Sequence, residues 1–334
     1  MSQPHPPTPR RPRRRLRLGV ILLSLLLVLL LVDKGRVLFF PPPQVGHWSS
    51  PEAQQDYESS YRELLAGLPE AESRLVDTDF GAVHVLVWES ENPAPPLLLL
   101  PGHSSGAPMW AENLPDFIGQ RSIIAPDPLG DAGFSSQKLP LNSPADQGIW
   151  ISQVLQAMTV EEVHVLGHSF GGANAAHFAL QHPEQIASLT LLEPVMIIER
   201  LPVSAFFWAT LTQLPVPQSW RDRALAEIGG TTVEEVQKRT PMSEMIDAAA
   251  SGYRTALPTP GRLSDEQWRS IQVPLRVDIA GTSSLAGGQE GLERLEALLP
   301  EGEFGYWPEA THSLPMDERA ALSPVLLEFW ERHD

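Results

Sequence analysis

The stretch Val163-His164-Val165-Leu166-Gly167-His168-Ser169-Phe170-Gly171-Gly172 restricts the fold more than any other part of the chain. It opens as an apolar strand, turns sharply, and continues through Ala176 in small residues suited to a helix. A Gly-x-Ser-x-Gly core between a strand and a helix is the pattern of a nucleophile elbow. Ser169 then sits at the apex with a strained backbone and its hydroxyl facing a pocket. Gly167 and Gly171 suit the turn because a Cβ at either would strike the neighbouring strand or helix. The helix beginning at Phe170 aims its N-terminal amides at negative charge developing beside Ser169.

Around the elbow, strands and helices alternate, which argues for a mostly parallel sheet with helices on both faces. Segments 74–79 and 83–89 flank Phe80-Gly81-Ala82 and read as an opening antiparallel hairpin. Short apolar strands follow at 96–100, 122–127, 163–167, 188–193, 275–281 and 303–307. Helices are expected at 109–119, 144–158, 170–181 and 288–299. A last one, 319–332, carries Leu322, Val325, Leu326 and Phe329 on one face. The alternation breaks between Glu193 and Val273, in a segment with Phe206-Phe207-Trp208, Trp220, Trp268 and several prolines. It is too long and too apolar for a loop, and we expect a helical cap at about 195–272 over the carboxyl edge of the sheet.

The amino-terminal residues differ in kind from the rest. Residues 1–36 hold eight Lys/Arg and one acid, leaving 16 basic against 40 acidic groups in the remainder. The acidic body repels nucleic acid, and no nucleic-acid partner is expected. A Pro-rich start and a block of six arginines ending at Arg17 precede Leu18 to Val32, which carries no charge. That is an n-region and an apolar segment, kept apart from the fold. Fifteen residues make about 22 Å of helix, short of a roughly 30 Å hydrocarbon core. Leu16, a snorkelling Arg17 and Val37-Leu38-Phe39-Phe40 extend the reach. No small-x-small cleavage site follows. Residues 1–40 are therefore expected to anchor the chain in a lipid bilayer with the body extracytoplasmic. Cleavage as a secretion signal is the alternative. Residues 41–72 read as a Pro-rich linker and a packing helix, at 52–68, with Tyr57, Tyr61, Leu64 and Leu65 on one side, and 73–334 as the main domain. With no cysteine, a thiol nucleophile, disulfides and thiolate metal sites are excluded. No metal or cofactor motif is present.

A serine hydroxyl becomes a nucleophile only when a base takes its proton. His312, in Pro308-Glu309-Ala310-Thr311-His312-Ser313, follows the last strand and can reach back over the sheet edge to the elbow. The one later histidine, His333, lies beyond the terminal helix. An oxyanion hole needs two backbone amides. Phe170, next to the nucleophile, supplies one, and His103, in the loop Pro101-Gly102-His103-Ser104-Ser105-Gly106, supplies the other. The His103 side chain has a lesser claim as a pocket group, and His168 is expected to pack beside the elbow.

Four blocks in order resemble the α/β-hydrolase family. These are Leu97-Leu98-Leu99-Leu100-Pro101-Gly102-His103 with Trp110 downstream, Ala125-Pro126-Asp127-Pro128-Leu129-Gly130, the elbow, and Ala310-Thr311-His312. The tract from Val76 to Val85 further resembles bacterial esterase-like members, and the resemblance covers about 70–334. It implies an α/β-hydrolase fold: an eight-stranded, mostly parallel sheet with helices on both faces and a cap after the sixth strand. It implies Ser169 as nucleophile, His312 as base and a structural Asp127. The chain departs from the family in two places. Pro101-Gly102 stands where His-Gly is usual. Ser284, in the turn Gly281-Thr282-Ser283-Ser284, stands where the family places its acid, and a serine cannot supply the charge that stabilises an imidazolium. Glu193, ending the sixth strand in Leu191-Leu192-Glu193-Pro194, is the substitute we expect, as in some members. Asp278 and Glu290 are weaker candidates.

The reading that follows is a serine hydrolase cleaving an ester, less readily an amide or thioester, of an apolar small molecule through an acyl-Ser169 intermediate. An acyltransferase or perhydrolase would carry the same residues. A non-catalytic ligand-binding or sensing protein that lost its acid is the reading from a different class.

Overall fold

In the computed structural model, residues 43–334 are described, apart from 213 and 215. The expected membrane segment, residues 1–40, lies outside the described residues. Among the described residues no helix is long and apolar enough to cross a membrane.

The eight principal strands are β1 (Glu72–Thr78), β2 (Gly81–Trp88), β3 (Leu97–Leu100), β4 (Ile123–Pro126), β5 (Val163–His168), β6 (Ile186–Leu192), β7 (Leu275–Ala280) and β8 (Glu303–Trp307). They lie in the order β8-β7-β6-β5-β3-β4-β2-β1. β2 runs antiparallel to β1 and β4, and the other neighbours are parallel. Where eight strands are expected, the sheet has a ninth. Ser136 and Gln137 pair with Ala82 and Gly81 of β2, a two-residue edge too short to leave a hydrophobic period.

The central strands are buried and largely apolar because both faces of the sheet are covered. Leu98 and Leu100 of β3 enter one core, shared with Val165 of β5 and with Ile151 and Val154 of α2 (Ala145–Ala157) and Phe178 of α3 (Phe170–Gln181). Leu97 and Leu99 enter the other core. There they meet Tyr57 and Tyr61 of a helix, α1 (Pro51–Leu65), together with Trp110, Phe117 and the terminal helix residues Phe329 and Trp330. Ser50 caps α1 by accepting the Ala53 N–H at 3.2 Å, and Pro51 begins the helix.

The segment expected as one helix over 109–119 is instead a 3₁₀ turn, Ala107–Trp110, and a short helix, Leu114–Phe117. Pro115 has no N–H to carry a helix through.

After β6 come α4 (Val203–Thr212), α5 (Gln218–Gly229), α6 (Val233–Gln237), α7 (Pro241–Gly252) and α8 (Asp265–Ser270). Helix α7 packs on α1, and His47–Trp48 pairs with Tyr253–Arg254 just beyond it. Trp268 of α8 is fully buried in the first core with Leu275, Val277 and Leu292, so α8 packs with the sheet layer rather than with the exposed aromatics of α4 and α5. Helices α9 (Gly288–Leu298) and α10 (Arg319–Glu331) complete the layers. Leu322, Leu326 and Phe329 of α10 are buried, while Val325 is half-buried.

Candidate active site

Ser169 sits where β5 turns into α3, with φ 55° and ψ −117°. A serine in this region is strained by about 1–3 kcal/mol, and the surroundings fix it. Its N–H donates to the Leu192 carbonyl at 3.0 Å, and its carbonyl accepts the N–H of Val195 at 3.1 Å. A Cβ on Gly171 would collide with the backbone of Leu100 and Pro101, so the elbow is wedged against the end of β3.

The loop after β8 brings His312 over this turn. His312 Nε2 lies 2.9 Å from Ser169 Oγ. Its Nδ1 lies 3.0 Å from Oε2 of Glu193, the residue after β6. Glu193 is fully buried at φ 47°, with its N–H on the Asp278 carbonyl. Oε1 accepts the Ala280 N–H and the Ser284 hydroxyl, both at 2.8 Å, and Oε2 also accepts the Leu285 N–H at 3.0 Å. With His312 Nδ1–H, four donors meet the carboxylate, which is what allows a buried charge to persist. With that proton on Nδ1, Nε2 presents its lone pair to the Ser169 hydroxyl. The loop carrying His312 is itself tied down. Thr311 donates to Asp317 from its N–H and its hydroxyl, at 2.9 and 2.6 Å.

The loop after β3 passes directly beside the nucleophile, since a Cβ on Gly102 would lie 3.4 Å from Ser169 Cβ. His103 and Phe170 stand side by side, their ring centroids 5.8 Å apart. Asp131, almost fully buried, grips the loop. Its Oδ2 accepts the Ser104 N–H at 2.8 Å and lies 2.9 Å from His103 Nδ1. Burial pushes the His103 imidazole down, but the charge and hydrogen bond of Asp131 outweigh it and leave the ring above its ordinary range.

Residues 95–233 match the family described as alpha/beta hydrolase fold. Two relatives from Bacillus subtilis match along most of their length. One is the uncharacterised carboxylesterase nap, 24% identical over 281 residues, covering 82% of this chain and 92% of that protein. The other is carboxylesterase YbfK, 25% identical over 282 residues, covering 82% and 93%. The crystal structure of carboxylesterase CesB (YbfK) superposes with a TM-score of 0.76 at 22% identity over 83% of this chain and 98% of its own. That of naproxen esterase, also from B. subtilis, gives 0.75 at 24% identity over 84% and 99%.

The chain has the α/β-hydrolase fold. It is an enzyme of the hydrolase class, and the remaining polar groups near the sheet edge can be sorted on that basis.

Asp278 of this hydrolase is held by Arg276 through two bonds, at 2.7 and 2.8 Å, and by Trp307 Nε1 at 2.9 Å, so it serves a buried ion pair. Glu290 is exposed in the first turn of α9, and His333 packs on Phe329 at the end of α10. Neither is brought to Ser169. His168 does more than pack. Its Nε2 donates to the His312 carbonyl at 2.8 Å. Burial and then the neighbouring His312 lower its pKa to about 3, so it stays neutral. Sequence reasoning gave Ser284 only the role of a missing acid and gave Asp131 none. Nothing in the local sequence of either residue signals a tertiary partner. Among the described residues, the hydrolase also carries an apolar groove of about 250 Å³ lined by Phe207, Trp208 and Leu211 of α4 and Trp220 and Arg223 of α5. Phe207 and Trp220 are more than half exposed there.

Proposed function

We propose that this α/β-hydrolase cleaves carboxylic esters of apolar small molecules through an acyl-Ser169 intermediate. The observation that carries the reading is the continuous chain from Ser169 Oγ to His312 Nε2 (2.9 Å) and from His312 Nδ1 to Glu193 (3.0 Å). Ser169 Oγ attacks the ester carbonyl while His312 takes its proton on Nε2. Glu193 holds the ring in the right tautomer and stabilises the imidazolium. The backbone N–H groups of His103 and Phe170 receive the oxyanion, where one such donor is typically worth about 100- to 1000-fold. The imidazolium then protonates the leaving alcohol. Water enters, gives a proton to His312 and attacks the acyl group, and Ser169 leaves with that proton restored. The apolar groove of α4 and α5 and the two carboxylesterase relatives support an apolar acyl or aryl ester. Glu193 in contact with His312 supplies the carboxylate whose loss was the ground for a non-catalytic reading. The charge-free segment after the arginine block supports membrane tethering through residues 1–40, with the body extracytoplasmic.

The test is labelling with a serine-reactive fluorophosphonate, beside Ser169→Ala. Rapid stoichiometric labelling that Ser169→Ala abolishes is the expected result. A folded wild-type protein that takes no label would overturn the reading and return the weight to ligand binding.

A further inference from the structure

The turn after β7 holds Ser284 at the centre of a small network whose direction is fixed. A hydroxyl has one proton to give and two lone pairs to fill. Ser284 Oγ accepts the N–H of Ala286 at 3.2 Å and of Gly288 at 3.1 Å. With both lone pairs occupied, the single proton points to the remaining neighbour, Glu193 Oε1, at 2.8 Å. The other donors to that carboxylate, besides His312, are the backbone amides of Ala280 and Leu285. Ser284 is thus the one side chain other than His312 that orients Glu193 among its hydrogen-bond partners here.

We propose that Ser284 is a positioning residue for the reaction: its preset hydroxyl locks the Glu193 carboxylate in the plane and rotamer that face His312 Nδ1. The proposal rests on the serine-hydrolase reading. The turn supports a built-in role. Ser283 just before it is held at φ 52°, and the two amides that fix the Ser284 hydroxyl lie at and just before the start of α9. Without the hydroxyl, Oε1 keeps only the Ala280 amide. The carboxylate can then rotate about its last torsion, and His312 loses its aligned acceptor.

The experiment is a double-mutant cycle in the full-length protein, read as kcat and KM on one neutral p-nitrophenyl ester and as the rate of fluorophosphonate labelling. Hydrogen bonds to charged groups are worth enough that Ser284→Ala should lower kcat about 10- to 100-fold, with KM little changed and labelling slowed in step. Ser284→Thr keeps a hydroxyl and should restore most of the rate. In a Glu193→Gln background, Ser284→Ala should have almost no further effect, because there is no carboxylate left to orient. A hydroxyl that only supports the turn before α9 predicts a different pattern: the Ser284→Ala loss would be the same in both backgrounds and would follow the fall in Tm. That pattern overturns the proposal, as does unchanged kcat in Ser284→Ala. Should Ser284→Ala not fold, Ser284→Cys, with a weak donor, takes its place in the cycle with the same expected ordering. If Glu193→Gln itself leaves kcat intact, the triad reading fails instead, so the two failures are told apart.

Discussion

Glu193 shows how much one residue can carry. It is fully buried, its backbone is strained, and its four donors leave no oxygen unsatisfied. Glu193→Gln preserves shape but turns a carboxylate into an amide, whose NH2 must face either His312 Nδ1–H or the amides that now donate. In the first case the base adopts the wrong tautomer, a change worth about 10⁴-fold in kcat where it has been isolated in another triad. We expect a loss of about 10³- to 10⁴-fold in steady-state kinetics, with the fold retained by circular dichroism. A loss of stability with turnover intact would assign Glu193 to structure alone. His168 acts on the same base from the backbone side. Its Nε2–H holds the His312 carbonyl, and glutamine can place an N–H at a similar reach. His168→Gln should keep labelling of Ser169 fast, whereas His168→Leu, leaving a buried carbonyl unpaired, should slow it about 10-fold. Equal rates for the two variants would show that the bond has no effect on the base.

At the scale of an element, β5 carries a buried histidine near each end. His164 has Nδ1 2.8 Å from Ser188 Oγ and Nε2 2.9 Å from Asp334. Burial, only partly offset by Asp334, lowers its pKa to about 4, and that of His168 is lowered to about 3. Both are depressed below the unfolded value near 6.5, so in the interval below that value the unfolded chain binds more protons than the folded one. Stability therefore rises with pH across this interval and is lost progressively as pH falls from about 6.5 towards 4 and below. Thermal unfolding followed from pH 7.5 to 4 should show Tm falling in that window, and His164→Gln should flatten the fall by about one proton. An unchanged slope would mean that His164 is not held neutral. The same strand explains what could be read in advance. β3, β5 and β6 are covered on both faces, so mostly apolar runs, interrupted only by His164, Ser188 and Thr190, marked them without structure. The elbow was legible because its chemistry is local, in Gly167, Ser169 and Gly171. Ser136–Gln137 and the broken helix around Pro115 were not, being two residues and one missing N–H. Glu193 was legible as a charge ending an apolar strand, but its partner Ser284 lies 91 positions away and was noticed only as a departure. The Asp131 grip on the loop after β3 had no sequence signal at all.

For the whole molecule, the question is where the working unit begins. The family match starts at residue 95, yet α1 lies well before it and is built into the second core. Tyr57 Oη donates to the Ala132 carbonyl and Tyr61 Oη to Asp127, each at 3.3 Å. Asp127 in turn accepts the N–H of Ala107 and of Phe134 at 2.8 and 3.0 Å, which ties α1 to the far end of the loop that carries His103. On its other side α1 packs on α7, and Trp48 meets Tyr57 at a tilt and Tyr253 edge-on, with ring centroids 5.1 Å apart in each pair. Helix α1 thus joins α7 to the loop beside the nucleophile. A chain beginning at Gln44 keeps every one of these contacts and both cores. It should hydrolyse a water-soluble ester with the kcat/KM of the full-length protein assayed in the same detergent. A chain beginning at Glu70 bares the apolar face that Tyr57 and Tyr61 cover, and takes from Asp127 one of its donors. Fully burying one large side chain is worth about 1.5–3 kcal/mol, and native stability is about 5–15 kcal/mol. Losing two tyrosines and the leucines beside them should therefore unfold the shorter protein or lower its Tm by at least about 5 °C, which is what roughly 3 kcal/mol does in a domain of this size. Full activity in the chain from Glu70 would show that α1 is a dispensable cover. Loss of activity in the chain from Gln44 would mean that residues before it belong to the site.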